Sequence, residues 1–191
     1  MKSKLAVCVT GAGGAVYAKK FIEFIDGKFD EIALVVSRTG EVVLREELGI
    51  SPEGLIPAGA KSKYVFYDRD DMTAPIASGS HDFYGVAVIP CTMGTLGRVA
   101  SGVSDNLITR CCDVCLKERR PAVFVTRETP LSLIHLRNMT TVTEAGGIVL
   151  PACPAFYNGE KTLDEAVSFV ADRVVRVLGL SGVVGGWKNN E

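Results

Sequence analysis

Six short apolar runs recur along the chain: "KLAVCVTG", "EIALVVS", "YVFYD", "GVAVIPC", "PAVFVTRE" and "GGIVLPA". Between them lie stretches in which apolar residues return at helical spacing. This alternation constrains the fold more than any other feature. Each run is rich in Val, Ile or aromatic residues and bounded by turn formers, as buried strands are. The intervening stretches, Ala15 to Phe24, Thr39 to Leu48, Gly94 to Val99, Asp105 to Leu116, Leu131 to Glu144 and Leu163 to Leu178, are expected helices.

Strands that are apolar almost throughout are covered on both faces, and a strand returning parallel to its predecessor crosses over through a right-handed helix. The expected fold is therefore α/β: a three-layer α/β/α sandwich around a doubly wound parallel sheet of the Rossmann-like or flavodoxin-like kind. A chain of 191 residues with no compositional break fits one domain, residues 1–191. Its 47% hydrophobic content supplies an ample core, and 20 glycines suit many tight turns.

Charge and cysteine content narrow the function. With 21 basic against 22 acidic residues the net charge is −1, so no general field draws the chain to nucleic acid or to an anionic membrane. No apolar run approaches the roughly 20 residues needed to span a bilayer. The first run is broken by glycines and lacks a secretory cleavage pattern, so the expected location is cytoplasmic. The six cysteines are scattered rather than framed as in a small secreted domain. "CCDVC" has no second C-x-x-C and only His81 and His135 as histidine company, so it reads as buried small side chains on a helix. Asp68, Asp70 and Asp71, interrupted by Arg69, read as a solvated loop, and no metal site is expected.

In doubly wound folds ligands bind beyond the carboxyl ends of the strands. After the first run comes "TGAGGAVYA", a Gly-rich turn into a helix N-terminus whose amides can face an anion. It is a poor dinucleotide fingerprint, because the third glycine would fall at Val16 and the second run ends in Ser37 and Arg38 rather than an acid. It reads equally as a phosphate or flavin turn and as an ordinary tight turn. Cys91, Thr92, Met93, Gly94 and Thr95 form a hydroxyl-and-glycine loop that taken alone is a helix cap. Lys117, Arg119 and Arg120 suit a helix C-terminus stopped by Pro121. Arg127 and Glu128 sit at the binding edge itself, with Thr129 as expected N-cap and Pro130 at the first helical position. "PACPAFYNG" presents Phe156 and Tyr157.

Together "TGAGGAVYA", "MTAPIASGS", "PCTMGTL", "NLITRCCDVCLKERRPAVFVTRETPLSLIHLRNM" and "PACPAFY" resemble, in order and spacing, the UbiX family of flavin prenyltransferases. That resemblance implies non-covalent FMN and transfer of a dimethylallyl group from dimethylallyl phosphate to N5 and C6 of reduced FMN. It implies a UbiD-type decarboxylase as recipient of prenylated FMN, and a homododecamer built from trimers with sites between subunits. By matching position, FMN is held by Gly11, Ala12, Gly13, Ser37, Thr92, Met93, Gly94, Thr95 and Arg127. The prenyl phosphate is met by Arg110, Lys117, Glu128, Tyr157 and Arg173, with Ser78 to Ser80 and Trp187 near the prenyl and isoalloxazine groups. Glu47 looks onto the site from another subunit. In this reading Glu128, Lys117, Tyr157 and Arg110 carry the chemistry, without metal. The family's first turn usually reads G-A-S-G; Gly13 replaces that serine, removing a hydroxyl worth roughly 1.5–3 kcal/mol if bonded to a charged group. The alternative is an FMN-binding redox or flavin carrier protein of the same superfamily, without prenyl transfer.

Overall fold

The computed structural model describes residues 2–155 and 162–184. Six parallel strands form one sheet in the order β3-β2-β1-β4-β5-β6. They are β1 (Lys2–Val9), β2 (Phe29–Val36), β3 (Lys63–Phe66), β4 (Gly85–Cys91), β5 (Ala122–Thr126) and β6 (Ile148–Pro151). The helices between and after them are α1 (Ala15–Ile25), α2 (Arg38–Leu48), α3 (Met93–Ala100), α4 (Leu107–Lys117), α5 (Leu133–Glu144) and α6 (Leu163–Val177).

Alternation along each strand divides the core in two. Leu5, Val7, Val9, Ile32, Leu34, Ala87, Ile89, Val123 and Val125 face α1, α2 and α6, while Ala6, Cys8, Ala33, Val35, Val86, Val88 and Phe124 face α3, α4 and α5. This is the three-layer sandwich expected from the apolar runs. At about 1.5–3 kcal/mol for each fully buried aliphatic or aromatic side chain, the two packed faces dominate stability. Cys111, Cys112 and Cys115 are fully buried on α4, as read from the sequence. Burial pushes the Cys91 thiol up to about 12. Among the described residues no helix is long and apolar enough to cross a membrane.

All six helices start within two residues of expectation, and in five of them the N-cap side chain accepts from a free amide where the apolar period begins. Ser37, Thr92, Asn106 and Thr162 accept from backbone N–H groups of the first turns of α2, α3, α4 and α6. By contrast α1 begins at Ala15 after Gly14, which has no side chain to cap with. The start of α5 differs from the expected pairing of Thr129 and Pro130. Ser132 is the N-cap, its hydroxyl accepting from His135 N while His135 Nδ1 accepts from Ser132 N. That reciprocal pair outcompetes the Thr-Pro signal because it satisfies two amides at once.

The strand order reverses between β1 and β4, so their carboxyl ends open a crevice there. Thr10 ties the two ends together: its hydroxyl donates to the Pro90 carbonyl at 2.8 Å and accepts from Thr92 N at 2.8 Å.

Candidate functional site

The crevice is a cavity of about 550 Å³, lined among others by Thr10, Ser37, Arg38, Thr39, Thr92 and Thr95. Thr10, Ser37, Arg38 and Thr92 are each the first or second residue after a strand. Ser37 Oγ accepts from Gly40 N at 3.0 Å, and Thr92 Oγ1 accepts from Thr95 N at 3.1 Å while donating to Thr95 Oγ1 at 2.9 Å. The caps that start α2 and α3 therefore also set the hydroxyls that face the cavity. Arg69, Asp70, Arg98, Asp105 and Asn106 complete the rim. Asp70, read from the sequence as part of a solvated loop, thus borders the cavity, with Arg38 Nη2 at 4.0 Å from its carboxylate.

The glycine turn is shaped by close approach. A Cβ at Gly11 would lie 2.3 Å from Thr39 Oγ1, so only glycine lets the turn pass under the start of α2. At Gly13 a Cβ would lie 2.6 Å from Arg127 Nη2 and 3.1 Å from Glu47 Oε1. Arg127 Nε donates to the Gly13 carbonyl at 3.0 Å. The position left by the missing serine is therefore occupied by a guanidinium and a carboxylate, and is not an empty place beside the cavity.

Glu47 accounts for the carboxylate. From the end of α2 it reaches the N-terminus of α1 in its own chain, accepting from Gly14 N at 3.0 and 2.9 Å and from Ala15 N at 2.8 Å. This contact lies within one chain, beside the Gly13–Gly14 turn. A carboxylate there satisfies free amides and complements the positive end of the helix dipole. Tyr17, one turn further on, was not singled out from the sequence. Burial and the nearby Cys153 push its phenol up, while Arg127 pulls it down, so it packs beside the cation of the site.

Gly11, Ala12, Gly13, Ser37, Thr92, Met93, Gly94, Thr95, Arg127 and Glu128 are thus gathered at one edge of the sheet. Met93 is buried beneath α3, so from this loop the hydroxyls of Thr92 and Thr95 and the backbone face outward. Glu128 is exposed, its Oε1 accepting from Thr129 N at 3.1 Å.

The other predicted residues lie elsewhere. Arg110 is held on the side of α4, Nε donating to the Ala77 carbonyl at 2.9 Å and Nη1 paired with Asp113 at 2.7 Å. Lys117 ends α4 and pairs with Glu118; both lie against Gly79, next to Ser78. Arg120 donates to the Gly79 and His81 carbonyls at 2.9 Å each and stacks on Phe83, 4.5 Å from the ring centre. Lys117 and Arg127 thus flank β5 at opposite ends, separated by roughly 16 Å of strand. Arg173, on α6, lines a separate groove beside β6 with Cys153 and Phe169. Tyr157 and Trp187 lie outside the described residues.

The Flavoprotein family's sequence profile matches residues 1–175. The flavin prenyltransferase UbiX of Methanocaldococcus jannaschii is 41% identical over 177 residues, covering 93% of this chain and 94% of that protein. The enzyme of the same name from Aquifex aeolicus is 40% identical, covering 92% and 93%. Among solved structures, AnUbiX in complex with FMN and dimethylallyl pyrophosphate superposes with TM-score 0.89 at 36% identity, covering 98% of this chain and all of that one. A dodecameric FMN-dependent UbiX-like decarboxylase from Escherichia coli O157:H7 superposes with TM-score 0.87 at 36% identity, covering 96% and 100%. By sequence and by structure over nearly its whole length, the chain belongs to the Flavoprotein family, within its UbiX flavin prenyltransferases.

Proposed function

We propose that the protein is a flavin prenyltransferase that joins a dimethylallyl group from dimethylallyl phosphate to reduced FMN. The observation that carries this reading is the paired design of the chain. A hydroxyl-lined cavity at the carboxyl edge of the sheet suits a flavin, and separate cations at Arg110, Lys117 and Arg173 exceed what flavin binding alone requires.

The residues at the cavity fit FMN. Ser37, Thr92 and Thr95 at the cavity and Arg127 at the same sheet edge supply hydroxyl and guanidinium partners for ring edge, ribityl chain and phosphate. When bound and reduced, FMN supplies N5 and C6 as the prenyl acceptors. The allylic C–O bond of the donor breaks with its electron pair leaving on phosphate. Cations held in place before reaction stabilise that growing charge without reorganising. Glu128, at the strand end, is placed to take or return a proton near the leaving phosphate, with Tyr157 as its expected companion.

Assembly completes the site in this reading. Lys117 and Arg127 bracket β5 from opposite ends, so one chain's Lys117 serves a neighbour's cavity. Leu133, Ile134 and Leu136, exposed by 60%, 68% and 47% beside Arg127 and Glu128, offer the apolar contact such a neighbour would cover. A homododecamer, a cytoplasmic setting consistent with buried free thiols, and a UbiD-type decarboxylase as recipient belong to the same proposal. The test is anaerobic incubation with reduced FMN and dimethylallyl phosphate. An adduct heavier than FMN by one prenyl unit is expected; recovery of unmodified FMN from protein that binds it defeats the reading.

A further inference from the structure

The cavity between the ends of β1 and β4 is rimmed by opposite charges. Arg38, Arg69 and Arg98 bring three guanidiniums to it, and Asp70 and Asp105 bring two carboxylates. The arginines suit a bound phosphate. Helices α2 and α3 both start at this cavity, capped by Ser37 and Thr92, and turn the positive ends of their dipoles toward it. The acids do not suit a phosphate, since each sets a negative charge among the very groups that a dianion needs.

Each acid stands against named arginines. Arg98, in the last turn of α3, folds back along its helix: Nη1 donates to the Gly94 carbonyl at 3.5 Å and Nε donates to Asp105 Oδ2 at 3.3 Å. Asp105 Oδ1 accepts from Asn106 Nδ2 at 2.9 Å, so Oδ2 is the oxygen left for Arg98. Asp70 Oδ2 lies 4.0 Å from both Arg38 Nη2 and Arg69 Nε, too far for a hydrogen bond. Arg69 Nε is buried and has no hydrogen-bond partner among the described residues. The rest of Arg69 is anchored, Nη1 donating to Glu41 Oε1 at 2.8 Å and the carbonyl accepting from Leu107 N at 2.7 Å. The Arg38 and Asp70 side chains are exposed by 79% and 66%, so they part and re-pair at little cost.

We infer that Asp70 and Asp105 are positioning residues that act through the rim arginines: they compete with the flavin's phosphate for Arg38, Arg69 and Arg98, and so set how readily the flavin leaves. When the phosphate enters, the guanidiniums turn to it from their carboxylates. When it departs, they return to partners already at hand. A flavin held permanently would gain from arginines alone. The release role rests on the function proposed above, which makes the flavin a substrate that departs as product. That reading also seats the reacting ring at the Arg127–Glu128 end, leaving the phosphate to the arginine rim. The competition itself is a property of FMN binding and needs no prenyl transfer.

The two are tested separately on the full-length protein. Asp70→Asn and Asp105→Asn are each expected to slow FMN dissociation by about fivefold, the upper worth of an exposed ion pair, as read by stopped-flow flavin fluorescence. Riboflavin, which lacks the phosphate, is expected to dissociate from the variants as it does from the unsubstituted protein. Unchanged or faster FMN dissociation overturns the competition, and so does an equal slowing of riboflavin, because the acids then shape the cavity and do not contest the phosphate. Asp70→Asn, at a well exposed side chain, serves if Asp105→Asn does not fold. With reduced FMN and dimethylallyl phosphate in excess, steady-state turnover is expected to fall relative to the first turnover, followed by quenched flow. An unaltered ratio of the two alongside slower dissociation overturns the release role. Absence of transfer in the unsubstituted protein defeats the proposed function and leaves the FMN and riboflavin rates to decide the competition.

Discussion

Restoring a serine at Gly13 is the most informative single change at the cavity. If the position were merely missing a hydroxyl, Gly13→Ser would add a hydrogen bond and strengthen the site. The geometry forecasts the opposite. The new Cβ would lie 2.6 Å from Arg127 Nη2 and 3.1 Å from both Arg127 Cζ and Glu47 Oε1. These are the ends of flexible side chains, so the turn survives and Arg127 gives way. What is lost is the 3.0 Å bond from Arg127 Nε to the Gly13 carbonyl. At an exposed position that bond is worth about 1 kcal/mol, which corresponds to a loss of roughly fivefold in FMN affinity if Arg127 is released from its flavin-binding pose. The same loss lowers the melting temperature by about 2–4 °C in a chain of this size. Flavin fluorescence titration and calorimetry read the two numbers. An affinity equal to or better than that of the unsubstituted protein would refute the reasoning, and would show that Arg127 and Glu47 yield the place at no cost.

Glu128→Gln should leave FMN bound but slow adduct formation by about 10²-fold, the usual worth of a positioned proton donor or acceptor, as followed by mass spectrometry. Lys117→Met and Arg127→Met should each be inactive alone, yet co-expressed they should recover about a quarter of the activity by random mixing of copies in each site; no recovery would mean that both residues act from one chain. A thiol reagent should find Cys153 quickly and Cys8, Cys91, Cys111, Cys112 and Cys115 only after denaturation, because the five are buried. Asp26→Asn tests pH dependence. Burial pushes the Asp26 carboxyl up, but the Ser62 and Lys61 amides and the Tyr64 hydroxyl more than offset this, so it titrates below the usual range. Its contribution is present above an unfolded pKa of about 3.9 and fades as pH falls through the lower folded value. Urea titrations should show Asp26→Asn less stable by about 1 kcal/mol at pH 7, with the difference shrinking below about pH 4.

The sheet, its helices and the first site wall were legible because near-continuous apolar runs, capped helix starts and strand-end position are local signals. The cap of α5 was misread because Thr-Pro and Ser-x-x-His both announce a helix, and only packing decides which satisfies more amides. Glu47 was named in the sequence only by resemblance, as looking onto the site from another subunit; its partner amides within the chain belong to α1 and come near only when the two helices pack. Asp172 in α6, whose carboxylate accepts from the amides of Val183 and Val184, 11 and 12 residues ahead, was missed for the same reason. The division of Lys117 from Arg127 was visible in outline, because a strand that begins after one and ends before the other must hold them apart.

The apolar start of α5 bears on the life of the chain before it acts. In the assembly proposed above, copies of the same chain cover Leu133, Ile134 and Leu136, which a lone chain leaves exposed. Newly made chains therefore race between docking and aggregation, and abundance decides the winner. Heat resistance measured in dilute solution should fall short of that at higher concentration, because mass action rewards the docked form. Weak expression would then impair this protein twice, by making fewer chains and by leaving more of those chains uncovered.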